Sequence, residues 1–412
     1  MSRGRRTGHF ALICLLPTLA ALWSVTVSIG SGTLVPWSPR TEDLNVYREA
    51  ARALVEGRDF YQLEGVFPYI YPPIAAVLAL PLLVVPWTIA QLVWTVANAV
   101  VVVLVLRHLR VRPGWLVSIA AAAAILFLTP FTITLGMGQL GILLMALVLL
   151  DATDGPRLRA GRKPLLPPGV LTGIATGLKL TPAVFIVHYF LTKRYRQGIV
   201  ASVTFLGTVL IGLAVAPGPS WGYWMRLAGG DSGANPDAYG WLANISVLSA
   251  VYRFTDVTSV GTVVGLGLSA VFVVLGLVAA VVARKHGHDV LGVALLGMVS
   301  SLANPIAWVH HLTWVLPLAV VGLRDRLPDV LRWAVLITAL WGTVQPQFAL
   351  KGAPWAHAEI HEYSVAEKVF AAGTDIVVLL TVLLVWVGMT RGRVRAPARR
   401  TAGEPTDGDS KA

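Results

Sequence analysis

The chain has 412 residues, of which 56% are hydrophobic and 13% are charged, and its mean hydropathy is +0.70. Soluble globular proteins carry about 25% charged residues, so the composition excludes a typical soluble enzyme and indicates a membrane protein. The formal net charge is +12, but the Lys and Arg residues lie in short clusters between apolar runs. That distribution is typical of cytoplasmic loops and does not indicate nucleic-acid binding.

The apolar runs predict an all-α, polytopic membrane protein with about twelve transmembrane helices. A helix needs about 20 apolar residues to span a bilayer, and these runs lack the alternation of a transmembrane β-barrel. The first run follows the basic sequence MSRGRR and is interpreted as an uncleaved span. The predicted spans lie at about residues 10–30, 73–86, 88–106, 115–134, 138–151, 168–191, 197–216, 259–283, 289–303, 305–323, 331–347 and 365–390. Residues 1–390 thus form a single transmembrane domain, and residues 391–412 are expected to be a disordered cytoplasmic tail.

The basic clusters predict the topology. Twelve crossings place both termini in the cytoplasm. The clusters on the same side are Arg3–Arg6, Lys193–Arg196, Arg284–Lys285, Arg324–Arg326 and Arg391–Arg400. The loops on the outside are 31–72, 217–258 and 346–363. Two further clusters, Arg107–Arg112 and Arg157–Lys163, would then lie outside, so either one segment in the first half is re-entrant or the charge rule is violated locally.

The first extracytoplasmic loop contains a predicted amphipathic helix. Asp43, Tyr47, Ala50 and Leu54 fall on one helical face, and Gly57 ends the pattern. We expect this helix to lie on the membrane surface, with Asp43 in its first turn. An aspartate at that position also fits a helix N-cap, and the periodicity alone does not separate a cap from a catalytic carboxylate.

The loop 217–258 is the second stretch of the sequence that is rich in polar residues, and it also contains many Trp and Tyr residues. Such residues fit an interfacial aromatic belt, and they would also suit stacking on a sugar. The loop includes Asn244 and Arg253.

Four polar side chains fall within or at the start of predicted spans: Gln139, Lys179, His310 and His311. Such groups are costly in a membrane, so each is a candidate functional residue. The alternatives are a lysine that extends to the membrane surface and histidines that are satisfied in the core. The sequence has no zinc-ligand spacing, no GxSxG elbow and no P-loop, so an ATP-driven pump is not expected.

Several motifs in order resemble one family of enzymes. They are Asp43 with Tyr47, Gly57–Tyr61, FPYIYPP (Phe67–Pro73), Pro81, Gly138–Gln139, GLKLTP (Gly177–Pro182), Asn244 with Ser246 and Arg253, and NPIAWVHH (Asn304–His311). Together they resemble GT-C type glycosyltransferases of family 87, the polyprenol-phosphate-mannose α-1,2-mannosyltransferases of mycobacteria and related actinobacteria. The likeness extends from about residue 40 to residue 320, and its specificity lies in the order and spacing of the motifs.

The resemblance implies an integral enzyme of the plasma membrane whose active site faces the extracytoplasmic side. It implies transfer of mannose, with inversion and as an α-1,2 linkage, from polyprenyl-phosphate-mannose to a phosphatidylinositol mannoside or lipomannan. The expected partners are therefore the lipid-linked donor, the glycolipid acceptor and membrane lipid, without nucleic acid. The donor is a co-substrate, and no cofactor or metal is expected.

The chemistry assigns expected roles to the residues. Asp43 is the expected general base for the acceptor hydroxyl. The leaving phosphate needs cations or hydrogen-bond donors, and the candidates are Arg253, His310, His311 and Lys179. The candidates for sugar or acceptor binding are Tyr47, Tyr71, Gln139, Asn244 and Trp308.

Two alternatives to mannose transfer are considered. A polyprenyl-phosphate-arabinose donor would use the same site, and composition does not separate a pentose from a hexose. A transporter or flippase for a lipid-linked sugar would show repeated spans with ionisable groups at the midplane. Here the polar groups lie in loops and span ends and no repeat is visible, which favours an enzyme.

Overall fold

The computed structural model describes residues 3–28, 32–63, 65, 67–153, 165–231, 233, 236–350 and 363–390. The predicted tail at 391–412 and the cluster Arg157–Lys163 lie outside these residues. Within the described ranges the protein is helical, with one isolated bridge between Thr33 and Ser38 and no longer strand. The prediction of an all-α fold is confirmed at this level.

Most helices lie in the predicted apolar runs and in the first loop, and two more, Pro217–Ala228 and Val247–Thr255, lie in the loop 217–258, where no helix was predicted. Their bounds are α1 Arg3–Val27, α2 Glu42–Val55, α3 Pro73–Leu78, α4 Pro81–Val84, α5 Trp87–His108, α6 Gly114–Phe127, α7 Thr129–Met137, α8 Gly141–Ala152, α9 Val170–Leu178, α10 Ala183–Leu191, α11 Tyr195–Val215, α12 Pro217–Ala228, α13 Val247–Thr255, α14 Ser259–Lys285, α15 Asp289–Leu302, α16 Val315–Arg324, α17 Asp329–Val344, α18 Val365–Ala371 and α19 Gly373–Thr390. Short 3₁₀ turns lie at Pro236–Tyr239, Val309–His311 and Pro346–Ala349.

Within the described ranges, five helices are long and apolar enough to cross a membrane: α1, α5, α11, α14 and α19. The pair α6 and α7 also qualifies but is bent by 74° at the break between them. Pro130, the second residue of α7, lacks a backbone N–H and explains why the helix does not continue straight. These helices identify a membrane protein, whereas the number of about twelve spans stays a prediction.

Two basic clusters lie at the same end of the helix bundle, although the topology with twelve spans predicts them on opposite sides of the membrane. The Arg324 guanidinium donates to the carbonyl of Leu109, and His108 Nε2 lies 2.6 Å from the hydroxyl of Thr153. The clusters Arg107–Arg112 and Arg324–Arg326 therefore lie at the same end, against the predicted alternation. The helices α3 and α4 are together too short, at about 1.5 Å per residue, for the roughly 30 Å hydrocarbon core. This favours a re-entrant segment over a local violation of the charge rule.

Residues 168–191, predicted as one span, instead form a hairpin of α9 and α10. Gly169 N donates to Asp151 at the start of the hairpin, and Arg194 donates to the carbonyl of Ala152 at its end. Both ends of the hairpin therefore lie beside the C-terminal end of α8, and Lys179 lies at the tip of the hairpin. The break has a local cause, since Lys179 is extended at φ −155° and Pro182 precedes α10. The prediction of a single crossing here was wrong.

Small residues let α9 lie close to α11. Gly169, Gly173 and Gly177 are spaced four apart and share one face of the segment. A Cβ atom at Gly173 would lie 2.6 Å from the carbonyl oxygen of Ala201, and one at Gly177 would lie 2.8 Å from Thr208 Cβ. This glycine stripe, of the type that brings membrane helices together, fixes the depth at which Lys179 sits.

Candidate active site

Asp43 lies in the first turn of α2 and is buried, with 9% of its surface exposed. It is not the N-cap, because Thr41 occupies that position with φ +46°. The capping alternative for Asp43 is therefore excluded, and the carboxylate is available for other contacts. That α2 is amphipathic and lies on the membrane surface stays a prediction.

Gln91 of α5 holds the start of α2 in place. Its side-chain amide donates to the carbonyl of Pro39 at 2.6 Å and to the hydroxyl of Thr41 at 2.8 Å. These bonds stabilise the left-handed backbone of Thr41, which would otherwise be strained. Sequence reasoning missed Gln91, although a polar side chain inside an apolar span is the same signal that singled out Gln139.

The turn between α7 and α8 brings the first loop to the centre of the protein. Gly138 has φ +73°, and a Cβ atom there would lie 2.5 Å from the Cβ atom of Leu44 in α2. Only glycine combines this backbone with such a close approach. The contact places the next residue, Gln139, directly against the Asp43 face of α2.

Gln139 connects three of the predicted residues. Its Oε1 atom accepts hydrogen bonds from the hydroxyls of Tyr47 and Tyr71, each at 3.2 Å. The Gln139 side chain also lies close enough to the Asp43 carboxylate to lower the pKa of Asp43. The Tyr47 and Tyr71 rings meet edge to face with centroids 4.9 Å apart, which fixes the geometry of the group.

Burial sets the proton affinity of these loop residues. The pKa of Asp43 is raised to about 6 because the carboxylate is desolvated, while the Gln139 hydrogen bond and the nearby Lys179 oppose the shift. Burial also raises the pKa values of Tyr47 and Tyr71, so both keep the protons that they donate to Gln139. Asp43 thus becomes a stronger base than a solvated aspartate while remaining able to ionise near neutral pH.

Lys179 and His311 form the cationic side of the site. Lys179 Nζ lies 2.7 Å from His311 Nε2 and 5.6 Å from the centre of the Tyr71 ring. A hydrogen bond between two nitrogens needs a lone pair on one of them, so this pair holds at most one positive charge. Lys179 is close enough to Asp43 to favour its ionised form.

His310 and His311 are neighbours with their rings nearly perpendicular and centroids 4.5 Å apart. The carbonyl of His310 accepts from Thr134 at 3.3 Å, and a Cβ atom at Gly141 would lie 2.7 Å from that carbonyl. His310 is buried, and its Nε2 atom has no hydrogen-bond partner among the described residues. Both histidines are thus held against the same α7–α8 turn that carries Gln139.

A small cavity of about 40 Å³ is lined by Lys179 and His311. Thr181, Ser300 and Ser301 also line it. A volume of this size admits a water molecule but not a sugar.

Asn244 organises the segment that precedes the histidines. Its side-chain oxygen accepts from Ala307 N at 3.0 Å, and its amide nitrogen donates to the carbonyl of Pro305 at 3.3 Å. Trp308 packs against Trp241 with ring centroids 5.8 Å apart. Asn244 is fully buried, so its contacts are structural, and its predicted contact with a sugar or acceptor stays a prediction.

Arg253 lies with Asn244 and is not brought to Asp43 or Lys179 by any contact between described residues. Its guanidinium donates to the carbonyl of Asn244 at 2.6 Å and to Ser249 at 3.2 Å, and it faces Asp375. It is 1% exposed, and burial lowers its pKa to about 10. These contacts favour a role in holding Asn244, and the predicted contact of Arg253 with the donor phosphate stays a prediction.

The structure therefore divides the predicted residues into two groups. Those brought together around the α7–α8 turn are Asp43, Tyr47, Tyr71, Gln139, Lys179, His310 and His311. Those that support the following segment are Asn244, Arg253 and Trp308. In the described part of the chain no three His, Cys, Asp or Glu side chains are placed to hold a metal ion.

Comparison with known proteins gives the family. The sequence profile described as glycosyltransferase family 87 matches residues 69–305, more than half of the chain. A polyprenol-phosphate-mannose-dependent alpha-(1-2)-phosphatidylinositol mannoside mannosyltransferase of Mycobacterium tuberculosis is 29% identical over 85% of this chain and 87% of its own length. Its counterpart of the same name from Mycolicibacterium smegmatis is 27% identical over 74% of this chain and 76% of its own length.

A polyprenol-phosphate-mannose-dependent alpha-(1-2)-phosphatidylinositol pentamannoside mannosyltransferase of Mycobacterium tuberculosis is also 27% identical, over 93% of this chain and 90% of its own length. No solved structure matches the chain. The profile covers Gln139 and Lys179 but not Asp43, His310 or His311, which lie outside the matched residues. The chain belongs to glycosyltransferase family 87 and is a glycosyltransferase.

Proposed function

We propose that this glycosyltransferase moves mannose from polyprenyl-phosphate-mannose to a phosphatidylinositol mannoside or related glycolipid. We further propose that the reaction inverts the anomeric centre, forms an α-1,2 linkage and takes place on the extracytoplasmic face of the plasma membrane. The names of the related proteins support mannose as the sugar and a phosphatidylinositol mannoside as the acceptor. They favour mannose over the arabinose alternative.

The observation that carries the proposal is the meeting of Asp43 with Lys179 and His311. Inverting transfer from a sugar phosphate needs a base at the attacking hydroxyl and a cation at the leaving phosphate. A buried carboxylate with a raised pKa lies beside a lysine–histidine pair in this site. A lipid transporter has no need of a base next to a phosphate-binding cation, so the arrangement favours an enzyme.

The proposed step can be followed bond by bond. The acceptor hydroxyl attacks the anomeric carbon, and its proton passes to Asp43 as the new carbon–oxygen bond forms. The bond between the anomeric carbon and the phosphate oxygen breaks, and its electron pair remains on the lipid phosphate. Lys179, with His311 and His310 beside it, stabilises this charge, while Gln139 and Tyr71 hold the carboxylate in position.

The direct test is transfer of isotope-labelled sugar by the purified protein in detergent. We expect labelled mannose to pass from polyprenyl-phosphate-mannose to a phosphatidylinositol mannoside acceptor, with little transfer from polyprenyl-phosphate-arabinose. Nuclear magnetic resonance of the product should show an α-1,2 linkage. Efficient use of the arabinose donor alone would contradict the proposed sugar, and translocation of the donor without a covalent product would indicate a flippase.

The raised pKa of Asp43 predicts the acid limb of the pH profile. A general base acts only when ionised, so kcat/KM should rise with pH and level off above about 6, the pKa of Asp43. Below that pH it should fall about tenfold per unit, as a single ionisation requires. An acid limb near pH 4, the range of a solvated aspartate, would show that Asp43 is not the titrating group.

A further inference from the structure

Arg226 of helix α12 lies over an aromatic ring of the first loop. Its guanidinium carbon is 4.9 Å from the centre of the Tyr61 ring. On the same ring, Tyr223 stacks with a centroid distance of 5.4 Å and an angle of 17° between planes. We call these three side chains, Tyr61, Tyr223 and Arg226, the Arg226 platform.

The charge of Arg226 has no carboxylate partner among the described residues. Its Nε atom is enclosed and makes no hydrogen bond to a described residue. Arg52 and Arg58 in the first loop, in contrast, are paired with Glu49 and Glu56. The Tyr61 ring covers one face of the half-buried guanidinium, whose terminal N–H groups can still bind an anion.

The platform is joined to the active site through one hydrogen bond. The Tyr61 hydroxyl donates to the carbonyl of Tyr71 at 2.8 Å, and the Tyr71 side chain reaches Gln139. The platform thus lies next to the catalytic group but not within it. The leaving phosphate is bonded to the carbon under attack, on the side opposite to the attacking hydroxyl, and the proposed step assigns it to Lys179, so the anion at Arg226 is a different one.

The side of α12 opposite to Tyr223 presents exposed apolar side chains. Trp221 and Met225 lie four residues apart on one face and are 64% and 53% exposed. Tyr223 on another face is buried against Tyr61. A helix with an exposed Trp on one side and a cation on the other is suited to the level of lipid head groups.

We propose that the Arg226 platform binds the phosphodiester of the acceptor, an anionic glycerophospholipid that carries the sugar to be extended. A guanidinium presents paired N–H donors that match two phosphate oxygens. The lipid chains would lie beside Trp221 and Met225, and the glycan would extend along Tyr61 toward Asp43. This inference rests on the proposed function, because it assigns the anion at Arg226 to the acceptor of that reaction.

The test is equilibrium binding to the purified protein, which does not depend on turnover. Two ligands are compared: a phosphatidylinositol mannoside and the same glycan on a neutral diacylglycerol. We expect the natural protein to bind the phosphorylated ligand about tenfold more tightly, and Arg226→Gln to bind both alike, because one charge-assisted contact is lost. Arg226→Lys should keep part of the preference.

The matched control is Arg58→Gln, which removes the same charge from an exposed residue already paired with Glu56. It should keep the full preference for the phosphorylated ligand. The inference is overturned if Arg226→Gln also keeps that preference, or if the natural protein has none. Failure of the proposed function would instead appear as no covalent transfer of labelled mannose by the natural protein, whatever the binding result.

Discussion

Replacing Asp43 with asparagine is expected to abolish sugar transfer while leaving the protein folded in the membrane. The amide keeps the shape of the side chain but cannot accept the proton of the acceptor hydroxyl. Positioned general bases contribute about 10²- to 10⁴-fold to rate, so we expect a fall of that size in kcat. Asp43 is buried and is not the helix cap, so the loss should not come from unfolding of α2.

The measurement is steady-state transfer of labelled mannose, together with binding of the lipid-linked donor. Donor binding should persist in Asp43→Asn, because the phosphate contacts assigned to Lys179 remain. Glu42→Gln is the matched control, since it removes the adjacent carboxylate of the same first turn. Near-normal turnover in Asp43→Asn would remove Asp43 from the chemistry, and an equal loss in Glu42→Gln would indicate a general effect on α2.

Replacing Lys179 with methionine is the second change for which we expect a large effect. Methionine retains the length and apolar character of the side chain but removes the charge that faces the leaving phosphate. Loss of one such stabilising group costs about 10²- to 10³-fold in kcat, which is the loss we expect. His311 would also lose its 2.7 Å partner.

The same variant should shift the pH profile in a defined direction. Lys179 favours the ionised form of Asp43, so its removal should raise the pKa of Asp43 above about 6 and move the acid limb to higher pH. Lys285→Met at the end of α14 is the control, since Lys285 is exposed and outside the site. An unchanged acid limb with unchanged kcat would show that Lys179 does not act on Asp43 or on the phosphate.

Local sequence patterns predicted most of the helices, but not α12 and α13 and not the paths of the helices through the membrane. The periodicity of Asp43, Tyr47, Ala50 and Leu54 predicted a helix with Asp43 in its first turn, and α2 begins at Glu42. The run 168–191 was interpreted as one span because its composition is apolar throughout. The extended backbone at Lys179 and the following Pro182 instead fold this run into a hairpin. Hydropathy does not indicate where a chain reverses its direction.

The motif residues could be named from the sequence, but their partners could not. Gln139 was a candidate because it is polar within an apolar run. That it contacts Tyr47 and Tyr71, 92 and 68 residues away, depends on how closely Gly138 allows α2 to approach. Arg253 was the first candidate for the phosphate because of its chemistry, yet the packing of α13 directs it to Asn244.

The sequence by itself determined the membrane class, the apolar helical segments and the residue types that the chemistry needs, because hydropathy and helical periodicity are properties of neighbouring residues. Tertiary structure alone decided that Asp43 is buried, that Lys179 stands at a hairpin tip beside His311, and that Arg226 rests on Tyr61. These features arise from contacts between distant segments, and each contact depends on the free energy of packing several helices at once. A carboxylate therefore becomes a candidate base only when the fold removes its water and brings a cation within reach.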